Sequence, residues 1–236
     1  MTSSLRRAAL AFSTVCVLGA GCSTMAGTTE GAVPSASATV AGGPPPAPGV
    51  PGDPDAGAVE TLMLIRHGEK PARGLGQLSC QGLNRALALP YVIEARYGRP
   101  DLIVAPDPAH QKHDLGIAYD YVRPLATVEP TAIYFGLPIS ASLGFAQVDE
   151  LRAMLLAPAY RRATVLVAGE HRMMEVLARR LVVDAGGAAG SVPRWDGADY
   201  DSIYTLRIVR RAGRVEVSFD VGHEGLDGRS ARCPGA

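Results

Sequence analysis

Lysine is almost missing from this 236-residue chain: Lys70 and Lys112 are the only two, so arginine carries nearly all of a positive charge that acidic residues balance to a formal +0. Without a basic excess there is no field to draw in a nucleic-acid backbone, and nucleic-acid binding is set aside on that ground. What remains is guanidinium chemistry, planar two-pronged contacts to carboxylate or phosphate oxygens. The plainer reading is that a composition rich in Ala, Gly, Pro and Arg scatters solvated arginines over the surface. Metal-ligand spacing is absent as well. Of the histidines only His110 and His113 stand close together, in a proline-bounded loop, Asp107–Asp114, without a cysteine partner, so neither a metal nor another cofactor is expected. There is no internal repeat, and the apolar stretch Ala8–Leu18 is too short to cross a bilayer.

That stretch has the form of an export signal over residues 1–22. Arg6 and Arg7 open it, the apolar segment follows, and Gly19, Ala20 and Gly21 lead to Cys22. Leu18-Gly19-Ala20-Gly21-Cys22 resembles the lipobox of bacterial lipoproteins, in which the cysteine is lipidated and becomes the new N-terminus; the leucine stands one place further away than the pattern has it. Simple cleavage near Thr24, Met25 and Ala26 is the alternative. Either route leads out of the cytoplasm, to the periplasm or cell envelope, and on the first route membrane contact runs only through the lipid on Cys22. Residues 23–58 are Gly, Ala, Pro, Ser and Thr with almost nothing apolar, the composition of a tether. This leaves 59–236 as one folded domain, whose only thiols are Cys80 and Cys233. In an exported protein these two are expected to pair, the alternative being two buried free thiols.

From Val59 onward short apolar runs alternate with helical periodicity, the pattern of α/β layering. Thr61–Ile65, Asp101–Ala105 and Thr164–Ala168 read as buried strands. Ser79 suits the cap of a helix to about Tyr97, with Leu83, Leu87, Val92 and Ile93 toward the core and Pro90 as a possible kink. Pro124 fits the first turn of a second helix, stopped by Gly136 and Pro138. Asp149–Leu156 reads as a third helix, and His171 opens a fourth with Met174, Leu177, Ala178 and Leu181 on one face. Ser202–Val209 and Arg214–Val221 alternate as antiparallel strands, with Asp199–Ser202 as the turn before them.

The strand Thr61–Ile65 runs directly into Arg66, His67, Gly68 and Glu69. A buried strand ending in glycine holds an imidazole beside a guanidinium at the carboxyl edge of a sheet, where open α/β folds bind ligands. This run, together with Leu78-Ser79, Gly82, Arg85-Ala86, Tyr121–Thr127 and Val165–His171, resembles the histidine phosphatase superfamily, the phosphoglycerate-mutase-like fold, over Val59–Val221. The chain departs from the family pattern at Tyr121, where serine is usual, at Ala126, where glutamine is frequent, and at Arg172, where one branch has an aspartate.

The resemblance implies a three-layer αβα sandwich with a mostly parallel central sheet. It implies His67 as a nucleophile that becomes transiently phosphorylated, with Arg66, Arg123 and His171 around the equatorial phosphoryl oxygens. Glu69 and Lys70, directly after the nucleophile, are expected to wall the pocket as substrate-binding residues. For the proton donor Glu170 is preferred, since it stands next to His171; Glu129, Asp149 and Glu150 are the other acids available. The implied activity is metal-independent hydrolysis of a small phosphorylated substrate in the cell envelope through a phosphohistidine. The alternatives are a phosphotransferase or mutase, and a catalytically silent envelope protein that binds a phosphorylated or anionic ligand. Nothing in the sequence points to an oligomeric state.

Overall fold

The computed structural model describes residues 57–211 and 214–235. The export signal, Cys22 and nearly all of the tether lie outside the described residues. The elements are β1 (Ala58–Arg66), α1 (Cys80–Tyr97), β2 (Leu102–Val104), β3 (Lys112–Asp114), β4 (Ile117–Tyr119), α2 (Arg123–Phe135), β5 (Ile139–Ser140), α3 (Val148–Leu155), β6 (Thr164–Gly169), α4 (His171–Asp184), β7 (Ser202–Arg211) and β8 (Arg214–His223).

Six strands make one sheet in the order β5-β2-β6-β1-β7-β8, while β3 and β4 form a hairpin of their own. β5, β2, β6 and β1 run parallel, and β7 and β8 are antiparallel. Parallel neighbours need crossovers, and the helices supply them on both faces. Leu62 and Leu64 of β1 pack with Leu155 of α3 and with Met174 and Leu177 of α4. Met63 and Ile65 pack with Leu89 and Ile93 of α1 and Val128 of α2. The result is a three-layer αβα sandwich with a mostly parallel sheet. All four of these β1 side chains are fully buried, each worth about 1.5–3 kcal/mol relative to exposure, so the strand that carries the site is firmly held.

β1 extends beyond the apolar run at both ends. Glu60 breaks the hydrophobic pattern, yet it is fully buried and pairs with Arg210 of β7 at 3.0 Å. Burial pushes its carboxyl up to about 6 against the pull of Arg210. α1 continues through Pro90, and Ser79 Oγ accepts from the Gly82 N–H at 3.2 Å. Its buried face differs from the expected one: Leu83 and Leu87 are 37% and 45% exposed, whereas Arg85 is fully buried. The helix is turned to bring a charged side chain inward. The second half of the supposed loop Asp107–Asp114 belongs to the β3–β4 hairpin, whose turn residues Leu115 and Gly116 have φ of 52° and 83°. Two positive φ angles match the twist of the flanking strands, at some cost for the leucine.

Cys80 and Cys233 are joined by a disulfide across a separation of 153 residues, with Cα atoms 4.6 Å apart. The C-terminal segment is also held noncovalently. Leu226 is buried against the α1–α2 layer, and Asn84 Nδ2 donates to the carbonyls of Ser230 and Arg232 at 2.8 and 2.7 Å.

Candidate active site

Arg66 is the last residue of β1 and lies opposite Gly169 at the end of β6. The register therefore sets Arg66 and His67 beside Glu170 and His171, and the His67 N–H donates to the Gly169 carbonyl at 2.9 Å. Glycine is required in the turn that follows. A Cβ on Gly68 would stand 3.0 Å from the Gly82 carbonyl, and one on Gly82 would overlap the backbone of Glu69. The Gly68 N–H donates to Thr127 Oγ1 at 2.9 Å, and that hydroxyl donates to the Arg123 carbonyl at 2.8 Å. One threonine thus ties the His67 turn to the start of α2.

His67 is 2% exposed, and its Nδ1 lies 2.8 Å from the Gly68 carbonyl. A carbonyl only accepts, so Nδ1 carries the hydrogen and the lone pair is on Nε2. Burial pushes the imidazole down to about 3; the Gly68 bond opposes this, and Arg123, Arg66 and Lys112 add to it. A neutral ring with a fixed tautomer among cations has a free lone pair, which a nucleophile needs, at ordinary pH.

Arg66 Nη1 donates to the carbonyls of Gly197 and Asp199, both at 2.8 Å, and its guanidinium lies 3.6 Å over the Tyr200 ring. Arg123, the first residue of α2 and 1% exposed, is clamped by Asp114, with Nη1 2.6 Å from Oδ2. The Asp114 carboxyl stays ionised. Burial works to raise its pKa, but hydrogen bonds from Arg123 and the Gly76 N–H win and hold it at about 2. The Nε atoms of Arg66 and Arg123 are buried with no protein partner. Unpaired buried donors cost about 1–3 kcal/mol each, as expected where an anion is to be bound.

His171 is the first residue of α4, with Glu170 before it. Its Nδ1 lies 2.8 Å from Glu170 Oε1, close enough for ionic pairing but off the line a hydrogen bond needs. Burial lowers the His171 pKa, with Glu170 opposing. Gly197, whose carbonyl holds Arg66, lies against His171, and a Cβ there would be 3.6 Å from Nε2. Arg66, His67, Arg123, His171 and Glu170 are therefore brought together at the carboxyl ends of β1 and β6. Beside Glu170 is a cavity of about 20 Å³ lined by Leu143, Phe145, Met173 and Met174 among others.

Other expectations need correction. Glu69 does not wall the pocket: its carboxylate is turned to Arg85, 2.8 Å from Nη2 and 3.1 Å from Nε. Arg85 also binds Asp201 at 3.2 Å and Glu224 and Asp227 at 2.7 Å, and burial pushes Glu224 up to about 8. Lys70 reaches Asp114 at 3.3 Å and is 40% exposed, so it backs the clamp on Arg123. The 199–202 segment does more than turn the chain, since Asp199 and Tyr200 cover Arg66. Glu170, expected beside His171, faces His171 and Lys112. Asp114 and Lys112 stood in the sequence only as a loop end and as one of two lysines, with no part in the site. The only signal for Lys112 was the rarity of lysine. Tyr121, noted there as a departure, is fully buried 6.0 Å from the His67 ring, with its hydroxyl unpartnered. Among the described residues no group of three or more His, Cys, Asp or Glu side chains is arranged to hold a metal ion.

Neither a protein-family model nor a curated protein matches the chain. Among solved structures it is similar to a candidate phosphohistidine phosphatase, SixA, from Nakamurella multipartitia, at 18% identity over 72% of this chain and 98% of that one, with a TM-score of 0.48. A candidate SixA from Agrobacterium tumefaciens matches at 18% identity over 68% and 97%, TM-score 0.45. A mutant phosphoserine phosphatase from Entamoeba histolytica, in complex with phosphoserine, matches at 13% identity over 71% and 98%, TM-score 0.42.

Proposed function

We propose that this chain is a phosphomonoester hydrolase of the histidine phosphatase superfamily, working through a phosphohistidine on His67. The observation that carries the reading is the state of that imidazole: neutral, with Nδ1–H held by Gly68, and surrounded by Arg66, Arg123 and Lys112. Nε2 attacks phosphorus, an N–P bond forms and the ester P–O bond breaks. Arg66, Arg123 and His171 hold the equatorial oxygens as charge grows on them. The leaving oxygen takes the proton of Glu170; water then attacks the phosphohistidine, the N–P bond breaks to free Nε2 and release phosphate, and Glu170 takes the water's proton in return.

The cell envelope is the proposed setting. Support comes from the Arg6, Arg7 and Cys22 export pattern and from a disulfide of the kind that persists outside the cytoplasm. The second reading, a silent binder of a phosphorylated or anionic ligand, is favoured by one observation: Asp114 already occupies part of the Arg123 guanidinium.

Hydrolysis of a chromogenic aryl phosphate, run with and without chelator and with His67→Ala as control, separates the two. The hydrolase gives chelator-resistant turnover, an acid-labile phosphoenzyme, and loss of both in the variant. Phosphate binding without turnover would establish the silent module.

A further inference from the structure

Tyr121 stands two residues before Arg123, on the connection from β4 to α2, and is fully buried. Its backbone is fixed, the N–H donating to the Pro108 carbonyl at 2.8 Å. Its ring is fixed as well, edge-on to His67 at 6.0 Å and to Phe145 at 5.4 Å, with the Arg123 guanidinium 5.0 Å from its centre. A ring packed in this way has little freedom to turn its hydroxyl elsewhere.

That hydroxyl is sealed from water and has no hydrogen-bond partner among the described residues. Buried phenols ordinarily find one, because an unpaired donor in a dry interior is costly. Phenylalanine would fill the same space without that penalty. The charges that act on the hydroxyl define its surroundings: Arg66 at the end of β1, Arg123 at the start of α2, Asp114 at the end of β3 and Glu170 just before α4. Two further buried donors without partners, Nε of Arg66 and Nε of Arg123, belong to these same residues. Three orphaned donors therefore lie around His67, and an oxyanion has the oxygens to use all of them.

Burial raises the pKa of the phenol; Arg123 and Arg66 oppose the rise, and Glu170 and Asp114 add to it. The group is thus a donor with its proton in place at ordinary pH.

We infer that Tyr121 is a further catalytic residue, whose hydroxyl donates a hydrogen bond to an oxygen of the phosphoryl group held by Arg66 and Arg123, and that the free protein carries this donor unpaired. The phenol keeps its proton throughout, and Glu170 remains the acid. This rests on the hydrolase reading above.

The test is Tyr121→Phe, which removes the oxygen and leaves the ring. Two readouts should move in opposite senses. Without ligand the variant should melt at least about 2 °C higher than the wild type, because it no longer buries an unpaired hydroxyl. Its kcat/KM on an aryl phosphate and its affinity for orthovanadate should each fall about tenfold or more, the size expected for one hydrogen bond to a charged group. A tyrosine that only packs the core would leave vanadate affinity alone. A smaller rise in the melt, a lower melt or a variant that does not fold shows the hydroxyl paired in the free protein and overturns the inference. So does a smaller fall in either turnover or vanadate affinity while the wild type is active. If the wild type binds vanadate without turnover, affinity and the melt decide. If it does neither, the phosphoryl pocket itself is refuted, and this inference with it.

Discussion

Replacing Arg123 by lysine separates charge from geometry at the centre of the site. Alanine would be the wrong probe, because the Asp114 carboxylate is only 4% exposed and would be left with the half-exposed Lys70 as its cation. Breaking a buried pair in this way costs roughly 3–5 kcal/mol, and unfolding would then pass for lost catalysis. Lysine keeps the positive charge opposite Asp114 but has one nitrogen where arginine has three. Arg123 commits Nη1 to Asp114 and retains other N–H groups, including an unpartnered Nε, which in the proposed reaction serve the phosphoryl oxygens. A single ammonium cannot serve both. Losing one donor to the transition state costs about 3–4 kcal/mol, or roughly 10²–10³ in turnover. The assay is the saturating rate on an aryl phosphate, with a thermal melt run alongside to show that the variant is folded. Turnover within about threefold of wild type, less than 1 kcal/mol of barrier, in a folded Arg123→Lys protein would refute the assignment of Arg123 to the reacting phosphoryl group.

Glu170→Gln should slow substrates with poor leaving groups at least about tenfold more than those with good ones, since only the former need a proton in the transition state; equal slowing removes Glu170 as the acid. With its pKa lowered to about 3, His67 stays neutral down to mildly acidic pH, so kcat/KM should show no fall near pH 6.5 that His67→Ala or a phosphoenzyme assay traces to this residue. The same shift acts on stability: between pH 6.5 and about 3 the unfolded chain binds a proton that folded His67 refuses, and the fold should weaken as pH drops through that window, as read by denaturant titration. Removing the disulfide in Cys80→Ser/Cys233→Ser opens a loop spanning 153 residues and should cost about 2–5 kcal/mol. At about 2–4 °C per kcal/mol for a domain of this size, a loss of roughly 4–20 °C in Tm is expected, and an unchanged melt denies the bridge a stabilising role.

The buried strands and the capped helices were legible because their residues announce themselves locally: an apolar run into Arg66, a serine at 79, proline at 124, a periodic face after His171. What was hidden depends on partners distant in sequence. Glu60 reads as a strand breaker until Arg210 is seen beside it, and Arg85 reads as surface until four carboxylates meet it inside, which is also why Leu83 and Leu87 face outward. The hairpin escaped notice because Lys112, His113 and Asp114 carry no apolar alternation. Its positions are held by the site's own charges, Asp114 to Arg123 and Lys112 toward Glu170, and such pairings have no period to detect. Arg66, His67 and His171 were expected at the sheet's carboxyl edge because each ends a strand or stands within two residues of its end, and they are there; Glu69 was expected in the pocket for the same reason, but its carboxylate is turned to Arg85.

The arrangement around Arg85 also bears on what the end of the chain contributes. Glu69, next to His67, is steadied by a guanidinium whose other partners, Asp201, Glu224 and Asp227, lie 116, 139 and 142 residues further along the chain. β1 itself must wait for β6 and β7 to flank it. Contacts of such long sequence separation form late. A chain cut after β8 would keep Arg66, His67, Arg123, Glu170 and His171 but lose Glu224 and Asp227, two of the carboxylates that hold Arg85 behind Glu69, and should fold less stably for it.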